Sequence, residues 1–254
     1  VACDLDHDGA DELVIGSDQG KVFIIYGDKK RTLNSITLDQ LSPSIGCILS
    51  STTNDGFGKN VAALDFNGDG HIDLAVSAHN TAGNTGVVFM VLGSGVKWTS
   101  MSVLTNSLPA GSSVIQILQT GQYFGFALTN LGDFNGDTYD DLSIGTQLSN
   151  QFFVIFGSST GILPAYTTNL TGSNGFRMGG PASFGSMIGG KFDLNKDGLK
   201  DLLTTCLSAS SNAGRGYVLF GKPKSSWTQG SYDGSNVAWW DGTTGFTITA
   251  DSAT

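Results

Sequence analysis

Four nine-residue segments repeat one order of acidic, amide and glycine residues. They begin at Asp4, Asp65, Asp133 and Asp193, and we call them loops one to four. Oxygens on the side chains of positions 1, 3, 5 and 9, with the backbone carbonyl of position 7, can converge on one hard cation. Because calcium accepts about six to eight such oxygens in a flexible shell, the pattern favours calcium over magnesium.

The predicted ligands are the residues at these five positions, for up to four calcium ions. They are Asp4, Asp6, Asp8, Ala10 and Glu12; Asp65, Asn67, Asp69, His71 and Asp73; Asp133, Asn135, Asp137, Tyr139 and Asp141; and Asp193, Asn195, Asp197, Leu199 and Asp201. Glycine at position 6 permits the sharp turn that wraps the chain around an ion. Thr138 replaces that glycine in loop three, so loop three is the weakest of the four predicted sites.

Two other interpretations of the loops fit less well. Asp, Asn and Gly favour hairpin turns for local reasons, but fifteen of the 22 acidic residues fall in these loops. Such a cluster would be repulsive without a cation. An EF-hand needs a glutamate at position 12 followed by a helix, whereas position 12 lies here in apolar, strand-like runs, at Ile15, Val76, Ile144 and Thr204.

Histidine and cysteine do not complete another site in the sequence. Cys3, Cys47 and Cys206 lack the CxxC spacing of zinc or redox sites, and their bonding pattern is left open. We interpret His7, His71 and His79 as inert surface residues, since no nucleophile pairs with them by motif. The acidic residues are committed to the loops, so we predict that this chain is not an enzyme.

The composition favours many short strands. Hydrophobic residues make up 39% of the 254 residues, charged residues only 14%, and there are 36 glycines. High glycine with low charge is typical of strands joined by tight turns. The net charge of −9 argues against a nucleic-acid partner, and no apolar run approaches the roughly 20 residues of a membrane span.

The loops belong to a longer internal repeat. Their starts are 61, 68 and 60 residues apart, and each loop is followed by two apolar runs, the second ending in glycine. Phe-Gly pairs precede three of the loops, at Phe57, Phe124 and Phe184. About four strands per unit predict an all-β fold, a β-propeller with four-stranded blades.

We expect residues 1–254 to form one propeller region. It divides into the end of one blade (1–44), three blades (45–112, 113–174 and 175–244) and the start of the next (245–254). Through the chain ends, only 12 residues separate Phe246 from Asp4, against 17 between Phe176 and Asp193. The sequence therefore favours a piece of a larger propeller over a closed four-bladed ring.

The combined motif resembles a known repeat. Phe57-Gly58 followed by the loop from Asp65 to Asp73 resembles the FG-GAP repeat of integrin α-subunit β-propellers. The resemblance implies a propeller commonly of seven blades, with calcium in the hairpin between a blade's first two strands. It also implies that partners bind on the face opposite the calcium loops.

Several aromatic residues lie outside the loops. Trp98, Tyr166 and Trp227 each follow a closing strand, so we expect repeated packing positions. The pair Trp239-Trp240 could contact the core or a neighbouring blade, or could form an exposed platform for a sugar or protein. Asn169 begins a glycosylation sequon, which favours an extracellular glycoprotein.

The leading hypothesis is a non-enzymatic adhesion or interaction module, extracellular or at the cell surface, with calcium stabilising its blades. Its partner would be a protein or a glycan. Two alternatives remain open at this stage: an accessory propeller of a secreted hydrolase or surface protein, and a carbohydrate-binding propeller that uses Trp240.

Overall fold

The computed structural model describes residues 1–17, 19–28, 35–51, 55–102, 113–116, 123–206 and 214–249. Within these ranges the regular secondary structure is almost entirely β-strand. In chain order the strands are β1 (Ala2–Cys3), β2 (Glu12–Ser17), β3 (Lys21–Ile25), β4 (Gly46–Ser50), β5 (Phe57–Leu64), β6 (Asp73–Ala78), β7 (Val87–Val91), β8 (Met101–Ser102), β9 (Ser113–Gln116), β10 (Ala127–Gly132), β11 (Asp141–Gly145), β12 (Gln151–Ile155), β13 (Gly175–Gly179), β14 (Ile188–Phe192), β15 (Asp201–Cys206), β16 (Arg215–Leu219), β17 (Ser231–Asp233) and β18 (Gly245–Thr249).

Helical structure in the described residues is limited to single turns. One α-helical turn, α1, covers Thr81–Asn84, and 3-10 turns cover Leu38–Gln40, Thr167–Asn169, Lys224–Ser226 and Val237–Trp240. None of these turns has the length or the apolar character needed to cross a membrane. This limited helical content agrees with the composition, which favoured many short strands.

The strands form four sheets in succession along the chain. Their strand orders are β1-β2-β3-β4-β8, β5-β6-β7-β9, β10-β11-β12-β13-β17 and β14-β15-β16-β18. The first four strands of each sheet pair antiparallel. In addition, β8 pairs in parallel with β4 at the edge of the first sheet, and β17 pairs in parallel with β13 at the edge of the third. The predicted all-β, propeller-type fold is confirmed.

The sheet boundaries differ from the predicted blade boundaries by one strand. We expected residues 175–244 to form one blade and residues 245–254 to begin the next. Instead, Gly175–Gly179 pairs with β12 as the fourth strand of the third sheet, and Gly245–Thr249 pairs with β16 as the fourth strand of the last sheet. A repeat of four strands does not reveal from sequence where one sheet ends and the next begins. Only the backbone pairing identifies the outer strand of each sheet.

The core lies between neighbouring sheets. Along β7, Val87, Phe89 and Val91 pack in the cluster shared with the first sheet. Val88 and Met90, which point to the opposite face, pack in the cluster shared with the third sheet. Successive side chains of a strand alternate between faces, so a strand buried on both sides is apolar throughout.

The Phe-Gly pairs bring adjacent sheets into backbone contact. The three phenylalanines are fully buried, at Phe57, Phe124 and Phe184. Gly185, next to Phe184, has a φ of +83°, and a Cβ there would lie 2.4 Å from the carbonyl oxygen of Gln151 in the preceding sheet. Glycine is needed because only a residue without a Cβ fits both this φ and this spacing.

Candidate metal centre

Each acidic loop connects the first and second strands of a sheet. Loop one joins β1 to β2, and loops two, three and four occupy the same place in the other sheets. Position 9 is the first residue of each second strand, at Glu12, Asp73, Asp141 and Asp201. Because the connections are equivalent, all four loops lie at corresponding ends of their sheets.

The carboxylate at position 9 accepts hydrogen bonds both from its own loop and from the glycine that follows the third strand of the sheet. In loop two, Asp73 Oδ2 accepts a hydrogen bond from Phe66 N at 2.9 Å, and Oδ1 accepts one from Gly93 N at 2.7 Å. The same pair of bonds is made by Glu12 to Leu5 and Gly27, by Asp141 to Phe134 and Gly157, and by Asp201 to Leu194 and Gly221. Sequence reasoning assigned position 9 only to the ion and missed this bracing role.

These position-9 carboxylates are buried, with consequences for their ionisation. Burial raises the pKa of Asp73 to about 7, and the negative charges of Asp69 and Asp65 add to the effect. Burial also raises the pKa of Glu12 and Asp201, and raises that of Asp141 well above its usual value. A buried carboxyl among other carboxylates favours its neutral form unless a cation compensates.

The aspartates at position 1 leave one buried oxygen without a partner in three loops. In Asp4, Asp65 and Asp193, Oδ2 accepts a hydrogen bond from the position-6 glycine at 3.0 Å. Oδ1 of each is buried and has no hydrogen-bond partner in the part of the chain that the structure describes. Buried polar atoms are normally satisfied, so the residues present fit a cation at loops one, two and four.

The other predicted ligands lie close to these aspartates. In loop one, ligand oxygens of Asp4, Asp6 and Asp8 all lie within 4.8 Å of one another, and Asp6 Oδ2 is also buried without a hydrogen bond among the described residues. In loops two and four, the position-3 amide donates to the position-5 carboxylate, at 2.9 Å from Asn67 and 2.8 Å from Asn195.

Side chains at position 7 connect each loop to the loop before it. His71 Nδ1 lies 3.3 Å from His7 Nε2, so loop two contacts loop one. Tyr139 lies against Gly68. The same relationship joins Leu199 to position 4 of loop three, where a Cβ on Gly136 would lie 3.2 Å from the leucine Cδ2. Sequence reasoning missed these contacts because the partners are more than 60 residues apart in the chain.

Main-chain hydrogen bonds also join successive loops. Asp140 N donates to Asp65 O at 3.2 Å, and Lys200 N donates to Asp133 O at 3.0 Å. A second set runs to position 2, where Ser158 N donates to Phe66 O at 3.0 Å. The geometry of one loop therefore depends directly on its neighbour.

The structure decides several predictions outside the loops. Trp98 and Trp227 are buried packing residues, as expected, but Tyr166 is 39% exposed, so its assignment was wrong. His79 is buried rather than superficial. The thiols are free: Cys47 and Cys206 are buried and Cys3 is half-buried, so no disulfide joins them.

The tandem tryptophans pack inward. Trp239 and Trp240 are half-buried against the cluster shared by the third and fourth sheets. The Trp239 ring is stacked parallel to Trp227 with centroids 6.4 Å apart, and Trp240 Nε1 donates to Gly234 O at 2.8 Å. These contacts favour the packing interpretation over an exposed aromatic platform.

Comparison with known proteins supplies the family context. A family model described as an FG-GAP-like repeat matches residues 4–76, which include loops one and two and the first Phe-Gly pair. The chain carries integrin-α-like FG-GAP repeats. In these FG-GAP repeats the Phe-Gly pair lies at the close contact between sheets, and the acidic loop follows the strand that begins at the pair or a few residues after it.

Relatives that match more than half of the chain include integrin α subunits. Integrin alpha-6 of Gallus gallus is 27% identical over 193 residues, covering 74% of this chain and 16% of that protein. Integrin alpha-V of Gallus gallus is 26% identical over 215 residues, covering 79% and 19%. Integrin alpha-4 of Xenopus laevis is 31% identical over 155 residues, covering 58% and 14%. The chain thus spans less than a fifth of the length of these curated relatives.

Among solved structures, the chain is similar to the crystal structure of BBS1N in complex with ARL6DN. The TM-score is 0.42 at 13% identity, covering 86% of this chain and 52% of that chain.

Proposed function

We propose that these FG-GAP repeats form a non-enzymatic, calcium-binding propeller for adhesion or protein–protein interaction, with calcium stabilising the blades. The observation that carries the calcium part is the buried Oδ1 of the position-1 aspartate, which in three loops lacks a partner among the described residues. Oxygen donors from carboxylates, amides and a main-chain carbonyl suit calcium. When bound, calcium would supply the positive charge that these oxygens lack.

The residues that would hold an ion are those predicted from the loops. At loop one they are Asp4, Asp6 and Asp8, with the carbonyl of Ala10 and the carboxylate of Glu12. Since each carboxylate oxygen has two lone pairs, Glu12 can brace the loop and still face an ion. The equivalent positions serve loops two and four.

Calcium would stabilise contacts between blades as well as within them. Loops two, three and four each touch the preceding loop through the position-7 side chain, and main-chain hydrogen bonds join loops two and three. An ion that fixes one loop therefore also holds the surface on which its neighbour packs. A ligand that binds only the folded state adds about 2.7 kcal/mol at a concentration of 100 times its Kd.

A matched pair of variants in loop one tests this proposal. Asp4→Asn removes charge at the unpartnered oxygen, whereas Asp11→Asn makes the same change at an exposed position outside the ligand set. We expect calcium to raise the melting temperature of the parent and of Asp11→Asn, and to raise that of Asp4→Asn by less. If the melting temperature and protease resistance of the parent are the same in calcium and in EDTA, the calcium proposal is wrong.

The adhesion part is supported by similarity to integrin α subunits, and it would put the chain outside the cell or at its surface. Its partner would be a protein that binds away from the acidic loops. Attachment of cells from the source organism to a surface coated with this chain would test it. Attachment should be blocked by excess soluble chain, and its absence would contradict the adhesion role without touching the calcium proposal.

A further inference from the structure

Loop three satisfies its position-1 aspartate with its own backbone. Asp133 Oδ1 accepts hydrogen bonds from Gly136 N at 2.6 Å and from Asp137 N at 3.0 Å, while Oδ2 accepts one from Thr138 N at 2.9 Å. In the other three loops the equivalent Oδ1 is the buried atom without a partner among the described residues. The oxygen that would face an ion is therefore already used in loop three.

The position-3 amide of loop three is also turned to a different partner. Asn135 is buried, with 1% of its surface exposed, and its Nδ2 donates to Asp141 Oδ1 at 3.3 Å. The corresponding amides of loops two and four donate to the position-5 carboxylate instead. In loop three the position-5 carboxylate, Asp137, therefore receives no hydrogen bond from the position-3 amide and can pair with a cation from another part of the chain.

The cation is an ammonium group from the next blade. Lys224 Nζ lies 2.8 Å from Asp137 Oδ2, and the Asp137 side chain is only 16% exposed. The lysine follows β16 in the fourth sheet and also lies over the Phe156 ring, 5.9 Å from its centroid. A half-buried, charge-assisted hydrogen bond of this length is a strong contact.

Loop one provides an internal comparison. Lys97 occupies the equivalent place after β7, but its Nζ lies 3.5 Å from Asp6 and 3.9 Å from Asp8. Asp4 Oδ1 still has no hydrogen bond within the described part of the chain. A lysine beside an acidic loop therefore does not by itself satisfy the loop; in loop three the backbone contacts and the lysine act together.

We infer that loop three takes no calcium ion and that Lys224 serves as its built-in cation, linking the fourth blade to the third. This inference rests on the proposed function for the other three loops. Thr138 also distinguishes loop three, because it has a φ of +77° at the position where those loops have glycine. The chain then binds three calcium ions instead of four.

The number of calcium ions bound to the folded chain, measured by equilibrium dialysis at saturating calcium, tests whether loop three takes an ion. The parent should bind three ions. Asp69→Asn and Asp197→Asn, which alter position 5 of loops two and four, should each reduce the count to two. Asp137→Asn, the matched change in loop three, should leave it at three. A parent count of four, or a count of two for Asp137→Asn, overturns the inference and leaves the proposed function standing.

The role of Lys224 is tested separately, without calcium. In EDTA, Lys224→Met should lower the melting temperature by about 2–4 °C more than Lys97→Met. Equal melting temperatures for the two variants would overturn the assignment of Lys224 as the cation of loop three. If no calcium binds to any variant, the proposed function fails, and this comparison still decides whether Lys224 holds loop three.

Discussion

Gly58 lies directly against the main chain of Lys21 in the preceding sheet: a Cβ at residue 58 would come within 2.2 Å of the Lys21 carbonyl oxygen. The φ of Gly58 is +88°, in a region that side chains with a Cβ rarely occupy. The glycine of the Phe-Gly pair is therefore fixed both by its backbone conformation and by the neighbouring blade.

Gly58→Ala should destabilise the fold strongly, because neither main chain can move aside without disturbing a sheet. We expect a loss of about 3 kcal/mol or more in the free energy of unfolding, from the unfavourable φ and overpacking together. Gly70→Ala is the matched control, since Gly70 has a φ of +84° and a Cβ added there would have no neighbour within 4 Å. It should lose only about 1–2 kcal/mol. Equal losses in urea unfolding would contradict the close-contact explanation.

Asp73→Asn should weaken the fold even without calcium. Both Asp73 oxygens accept main-chain hydrogen bonds, from Phe66 and Gly93, and an asparagine would turn an amide donor towards one of these donors. Leaving a buried donor unsatisfied costs about 1–3 kcal/mol. Asp69→Asn, at the exposed position 5, should change calcium binding but leave stability in EDTA nearly unchanged. If both variants unfold at the same urea concentration in EDTA, position 9 does not brace the loop.

The stability of the calcium-free protein should fall as the pH rises from about 4 to about 7. The pKa of Asp73 in the folded chain is about 7, against an ordinary value of 3.8, so folding favours the protonated carboxyl. This contribution to stability is complete below about pH 4 and is lost as the pH rises through 7. The raised pKa values of Glu12, Asp141 and Asp201 act in the same direction.

Urea unfolding in calcium-stripped buffer between pH 5 and 8 would measure this dependence. With saturating calcium the loss should be smaller, because a bound cation favours the ionised carboxylates. Calcium-free stability that is constant or rises between pH 5 and 7 would contradict the assigned burial effect.

The sequence was sufficient for the features that repeat locally. The Phe-Gly pairs and acidic loops revealed the repeat, and the apolar runs that follow each loop predicted the short strands. Thr138 already distinguished loop three from the other loops, which have glycine at that position. Each of these signals comes from residues a few positions apart, where spacing alone determines which face or turn they share.

The features that sequence reasoning missed join distant parts of the chain. The contact of Lys224 with Asp137 spans 87 positions, and that of His71 with His7 spans 64. The strand that completes each sheet was missed for a similar reason, since the place of Gly175–Gly179 is decided by its pairing with β12. Tyr166 was misassigned because a matching distance from a closing strand does not fix the path of a loop.

Anomalous X-ray diffraction from crystals grown with calcium would test the central claim most directly. The proposal predicts density for an ion beside Oδ1 of Asp4, Asp65 and Asp193, the three buried oxygens that lack a hydrogen bond among the described residues. An absence of ion density at all three aspartates in calcium-saturated crystals would contradict it.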